Sequence, residues 1–223
     1  WYEEVRAFIG ALKERGLLSD YNQFAFLFKS VKNEKAIGLA DFLEEHGVPV
    51  FSPRSALFFK REEIRLLIGA FAFMFPPLID RYLRWQAGAE LKEWDYYREC
   101  LAFFTDALRA EPALHDGLRK WCAQKAKTHS TLTENTNYTF ASLFYGLLAF
   151  PMFSRYVDVD LSGKAVDLRP VYNLALFSQL LGQFEFLHNI IVLRPDGLER
   201  DLRSLFNQYF RFLMDGGIAE YED

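Results

Sequence analysis

The chain has 223 residues, 51% of them hydrophobic and 25% charged, which is enough to bury one large core or two modest ones. A net charge of −4 excludes a surface that grips nucleic acid over its whole extent, so any such contact must be local. No apolar run reaches membrane-spanning length without a charge, and the residues from Trp1 carry neither a signal-peptide pattern nor an initiator Met. The expectation is a cytoplasmic protein cut from something longer, with no membrane partner.

In chain order, Val5, Phe8, Ile9 and Leu12 form a helical stripe with Gly16 as a stop. Asp20-Tyr21-Asn22 makes a turn. Phe24 to Phe28 is an apolar run of strand length, as expected for a strand covered on both faces. Ala36, Leu39, Ala40 and Leu43 restore helical periodicity, ending near His46-Gly47. Val48-Pro49-Val50-Phe51 reads as the next strand, with Pro49 at its edge or start. This β-α-β order predicts a small α/β part.

From Arg61 the pattern turns helical. Glu62 and Glu63 suit a helix N-terminus, and Ile64, Leu67, Ile68, Phe71 and Phe75 form the apolar stripe until Pro76-Pro77. Further helices are predicted near 78–87, 90–110, 113–127, 138–149, 170–190 and 198–214, with a polar loop or hairpin at 158–164. The 23 phenylalanines recur at helical spacing, which marks them as core filling rather than a base-stacking platform. Cys100 and Cys122 lack metal-ligand spacing and read as buried free thiols in a reducing compartment, with no metal site.

Three short segments then stand in a particular order: Phe24-Ala25-Phe26-Leu27-Phe28-Lys29-Ser30, Gly47-Val48-Pro49-Val50, and Phe58-Phe59-Lys60-Arg61-Glu62-Glu63-Ile64-Arg65. In this order they resemble the second motor lobe of UvrD/Rep/PcrA-like superfamily 1 DNA helicases, over about the first third of the chain. The resemblance implies a mainly α protein with a small α/β part. Residues 1–75 would be a partial RecA-like, P-loop NTPase-type lobe (2A), and 76–223 an all-helical inserted domain (2B-like).

The resemblance also implies site residues. Lys29, where the family more often has Arg, would reach the terminal phosphates of ATP across the cleft between the lobes, meeting charge on the transferred group. A solvated lysine at a strand end is the other reading. Phe59, Arg61, Glu63 and Arg65 would lie at the junction with the inserted domain, near the single-strand track. Arg61 also suits a local pairing with Glu63. Leu66 stands where the family often has Asp.

Other signals are missing. No Gly-x-x-x-x-Gly-Lys-Ser/Thr loop and no acidic magnesium-binding strand occur. By the resemblance, ATP and Mg2+ serve the parent enzyme through the first motor lobe of the same chain, and the fragment alone is not catalytic.

In the helical part, Arg119, Lys120, Lys125, Lys127 and His129 lead into the polar stretch Thr128 to Tyr138, a combination that suits phosphate contacts to single-stranded or duplex DNA. A basic helix end balancing its dipole gives the same pattern. His46, His115, His129 and His188 form no catalytic or zinc motif, and Asp158 and Asp160 form at most a solvated acidic pair. Two expectations result: a fragment of an ATP-dependent DNA helicase, or a helical protein-interaction module on an α/β scaffold.

Overall fold

The computed structural model describes residues 1–29, 33–50, 57–78, 92–158 and 168–216. The protein is mainly helical, and the chain divides into two compact units, Trp1–Leu57 with Leu213–Asp223, and Phe58–Phe212.

In the first unit, α1 (Tyr2–Glu14) and α2 (Glu34–Glu45) bury Ile9, Leu39 and Leu43 together with Leu18. Both helices end on a left-handed glycine. Gly16 lies at φ 70° and Gly47 at φ 76°, and the next amides, of Leu17 and Val48, close back onto the carbonyls of Leu12 and Leu43. That closure satisfies carbonyls the helix itself leaves open, and only glycine adopts the required backbone without strain. Asn33 caps α2 by accepting from the Lys35 amide.

The predicted strands are corrected here. Among the described residues no strand forms: Phe24 to Phe28 and Val48 to Val50 run without a ladder, and Phe51 and Ser30 lie outside the described residues. Phe24, Phe28, Val48 and Val50 instead pack on the α1–α2 core, and the Val50 amide donates to the Glu44 carboxylate rather than to a neighbouring strand. An apolar run becomes a buried strand only beside strands that take up its backbone groups; otherwise its side chains collapse onto the nearest core. The α/β part expected for residues 1–75 is therefore not present as a sheet among these residues.

The second unit is built around α4 (Glu62–Met74), which follows the single turn α3 (Leu57–Lys60). After Arg65 this helix carries no charge, and Leu66 to Ala72 are buried without exception. A helix apolar on every side belongs in the middle of a bundle. After α5 (Pro76–Leu78), α6 (Lys92–Ala110) and α7 (Pro112–Ser130) pack against it. The polar segment 131–139, α8 (Phe140–Leu148), α9 (Pro151–Ser154) and α10 (Arg169–Leu187) follow. The unit closes with α11 (Leu198–Arg203), a wide π-helical segment Ser204–Phe210, and the start of α12 (Arg211–Gly216).

Predicted and observed helices correspond closely for α6, α7, α8 and α10, whereas the short α9 has no counterpart in the prediction and the single helix expected at 198–214 is α11, a π-helical segment and α12. The helix expected at 78–87 and most of the loop at 158–164 fall outside the described residues. α4, grouped by its motif with residues 1–75, packs within Phe58–Phe212.

Phenylalanine fills this core as its spacing predicts. Phe71 meets Phe177 edge-on at 6.2 Å, and Phe177 continues to Phe210 at 5.8 Å. Tyr97 is buried, and its hydroxyl donates to the Phe206 carbonyl at 2.7 Å, inside the π-helical segment. Widening to a π turn displaces carbonyls from the regular ladder, and this hydroxyl supplies one of them with a partner. Cys100 and Cys122 are buried free thiols, with burial pushing them up to about 11 and about 12. No helix among the described residues is long and apolar enough to cross a membrane.

Candidate functional site

The residues singled out in the sequence fall into three places. Lys29 stands in the first unit at the end of the Phe24–Phe28 segment, and its side chain is exposed. Phe59, Arg61, Glu63 and Arg65 come together at the start of α4. Lys120, Lys125 and Lys127 lie on α7.

At the start of α4 the geometry is that of a fastened junction. Phe58 and Phe59 are buried and cross edge-on at 5.2 Å, while the Phe59 carbonyl accepts from the Tyr96 hydroxyl at 2.7 Å. Arg61 takes extended backbone (φ −63°, ψ 140°) as the N-cap, so the helix begins at Glu62. Both following carboxylates are engaged. Glu62 accepts from Arg155 and from the Tyr156 hydroxyl, each at 2.7 Å, and Arg155 also donates to that hydroxyl. Burial pushes the Tyr156 hydroxyl well above the usual phenol range.

Glu63 is buried and accepts from the Asn173 amide of α10 at 2.7 Å. Arg65 lies 4.6 Å from the centre of the Phe103 ring and turns its charge toward α6 beside Cys100 and Tyr96. The acidic pair thus ties α4 to the turn that follows α9 and to α10, and the arginine ties it to α6.

These contacts give a direct prediction. Glu63→Ala leaves the Asn173 amide without its acceptor and costs about 1–3 kcal/mol in urea unfolding, whereas Glu63→Gln keeps an acceptor oxygen and costs less than half of that. Equal losses for the two variants would show that the hydrogen bond does not hold α4 to α10.

On α7 the structure separates what the sequence placed together. Lys120 and Lys127 share one side of the helix, and Lys125 points roughly 140° to 160° away from them, as the 100° step per residue requires. Asp116 takes up much of the positive charge on the first side: Lys120 lies 2.6 Å and Arg119 2.7 Å from its two oxygens, and both hold its carboxyl below the usual range. Lys127 is exposed. Lys125 folds inward instead, 3.6 Å from the centre of the Tyr138 ring and 5.6 Å from that of Trp121.

His129, the fifth basic residue by sequence, is buried and neutral. Its ring stacks on Phe75 at 4.2 Å and 12°, with Nδ1 2.7 Å from the Met74 carbonyl oxygen. That carbonyl requires a proton on Nδ1, so Nε2 is the acceptor for the Tyr138 hydroxyl at 3.1 Å. Burial, with the nearby Lys125 charge, pulls the ring down to about 4. The remaining cationic face of α7 is Lys127 with the partly neutralised Arg119 and Lys120, which suits positioning contacts to phosphates rather than base readout.

Between the end of α4, α6 and α7 runs an open groove of about 560 Å³, lined by Phe73, Pro76, Leu101, Ala102, Thr105, Ala123 and Ala126. Arg98 at its edge is paired with Asp95 at 3.1 Å. Among the described residues the walls are mainly apolar, with Thr105 and Arg98 as the polar lining groups. Among the described residues no three His, Cys, Asp or Glu side chains are grouped to hold a metal ion. Sequence reading missed Asn173, Arg155 and Tyr156, whose roles arise only from contacts across 93 to 110 residues of chain. Compared with known proteins, the chain matches no family model, no curated protein and no solved structure.

Proposed function

We propose that this chain is part of an ATP-dependent DNA helicase or translocase, contributing the beginning of a second, RecA-like motor lobe and the helical domain inserted into it. The reading is carried by one observation, the ordered set of segments ending in Lys29-Ser30, Gly47-Val48-Pro49-Val50 and Phe58 to Arg65. The exposure of Lys29 is consistent with a role toward an anion outside this unit. In a complete lobe the Phe24–Phe28 and Val48–Val50 segments would gain strand neighbours for their backbone groups.

ATP with Mg2+ supplies the phosphoryl chemistry in such a motor. Of this chain's own residues, Lys29 would place a positive charge near the terminal phosphates. By the resemblance, Phe59, Arg61, Glu63 and Arg65 would stand where lobe movement reaches the helical domain, within which Phe59 and Arg65 contact α6 and Glu63 contacts α10. The exposed Lys127 with Arg119 and Lys120 would touch the DNA backbone.

The test is DNA-stimulated ATP hydrolysis and unwinding by the protein that includes the first motor lobe. Lys29→Ala is expected to lower turnover by about 100-fold or more with the fold intact. Turnover unchanged by Lys29→Ala removes that residue from the site. No turnover in the folded native protein moves the assignment to the second reading, a protein-interaction module, which the uncharged exposed face of α10 favours. For the DNA contact, unchanged affinity after Arg119, Lys120 and Lys127 are replaced by Ala rules out the exposed cationic face of α7 as a phosphate-binding surface.

A further inference from the structure

α10 is apolar on its buried side and uncharged, with three large hydrophobic residues, on the side that faces solvent. Leu174, Phe177, Leu180, Leu181 and Phe184 are buried in the second unit. The opposite side presents Leu168, Tyr172, Ala175, Gln179, Gly182 and Phe186, all exposed and none charged. Leu168 is 55% exposed, Tyr172 45% and Phe186 86%. Beside this stripe on α8, Tyr145 is 59% exposed, its hydroxyl 2.6 Å from Ser178.

The stripe advances by 4, 3, 4, 3 and 4 residues. That is the 3.5-residue repeat of a seam between two helices, narrower than the stripe of a helix that merely lies on a core. A second helix is thus the geometric complement.

The order of sizes along the seam specifies which helix. The seam is a palindrome in position about Phe177, so a second α10 laid antiparallel pairs Leu168 with Phe186, Tyr172 with Gly182 and Ala175 with Gln179. Each bulky ring then meets a small or slender neighbour. Nothing lies within 4 Å of where a Cβ on Gly182 would point, which leaves room for the tyrosine ring of the other copy. A parallel pairing would stack Phe186 on Phe186 and leave Gly182 facing Gly182 across a void. The ionic side chains of α10, Arg169 and Glu185, lie off the seam, and Glu185 already accepts from the Ala141 amide at the start of α8 at 2.7 Å.

We infer that the exposed face of α10 is a self-association surface, on which two copies of this chain pair through antiparallel α10 helices. A seam of 19 residues is about 28 Å long, and with Tyr145 and its neighbours two copies cover on the order of 1,000 Å² in total, the low end for specific association. The dimer is therefore weak and reversible.

Sedimentation equilibrium of the 223-residue chain, from about 5 to about 200 µM, tests this over the range where an interface of that size assembles. The native chain is expected to pass from monomer to dimer. Ala175→Glu, an exposed position that leaves the monomer's helical circular dichroism and melting unchanged, is expected to weaken dimerisation by at least about 30-fold, because it brings two carboxylates together near the two-fold axis. Oxidising an equal mixture of Ala175→Cys and Gln179→Cys chains should link unlike copies in preference to like ones. A chain that stays monomeric throughout, a dimer indifferent to Ala175→Glu, or preferred linkage of Ala175→Cys to itself each overturns the proposal.

Discussion

Gly69→Ala is expected to lower the stability of the helical unit by about 3 kcal/mol or more, a fall in melting temperature on the order of 10 °C. A Cβ at position 69 of α4 would press on the backbone carbonyl of Cys100 and lie 2.7 Å from Phe104 Cβ, both on α6. A carbonyl in a helix has no rotamer to change, so α4 and α6 must move apart along their length. The same exchange at Gly117, where a Cβ meets only Phe150 at an ordinary 3.7 Å, should instead raise stability by up to about 1 kcal/mol, since alanine loses less backbone entropy in a helix. Thermal unfolding of both variants decides the matter. A Gly69→Ala protein that melts with the native one would mean that α4 and α6 do not approach this closely.

The second large effect concerns pH. The His129 ring titrates near 6.5 when unfolded and near 4 when folded, so between those values the unfolded chain holds a proton that the folded chain refuses. Its contribution to stability is therefore complete above pH 6.5 and is lost as pH falls from there to about 4, after which it changes no further. The full span is at most about 3 kcal/mol. His129→Gln removes the titration. Unfolding free energies of the two proteins, measured by urea from pH 7.5 to 4, should converge as pH falls, because carboxylates elsewhere titrate alike in both. Parallel curves would show that His129 is not held neutral between Phe75, Met74 and Tyr138.

The legible and illegible parts of the fold differ in kind. α6, α7, α8 and α10 were read from apolar spacing within two or three residues at most boundaries, because that spacing is a local property. The stops at Gly16 and Gly47 were equally plain, since few other residues end a helix in a left-handed turn. Phe24 to Phe28 was misread because five apolar residues in a row look alike as a buried strand or as an irregular segment laid on a core. The 3.5-residue stripe of α10 was present in the sequence, but nothing local distinguishes an outward seam from an inward one.

At the candidate site the divergence is sharper. Arg119, Lys120, Lys125, Lys127 and His129 looked like one basic surface when written in a row. In three dimensions Asp116 binds two of them, Lys125 turns onto Tyr138, and His129 loses its charge to burial. By itself the sequence determined where helices run, that phenylalanine builds the core, and which short segments resemble a motor lobe. The tertiary structure alone decided that Leu66 to Ala72 of α4 are buried on every side, that Glu62 and Glu63 tie its start to residues 93 to 110 positions away, and which basic residues still face water. Periodicity depends on the nearest few residues, whereas burial and the charge a side chain carries depend on whatever the rest of the chain packs beside it.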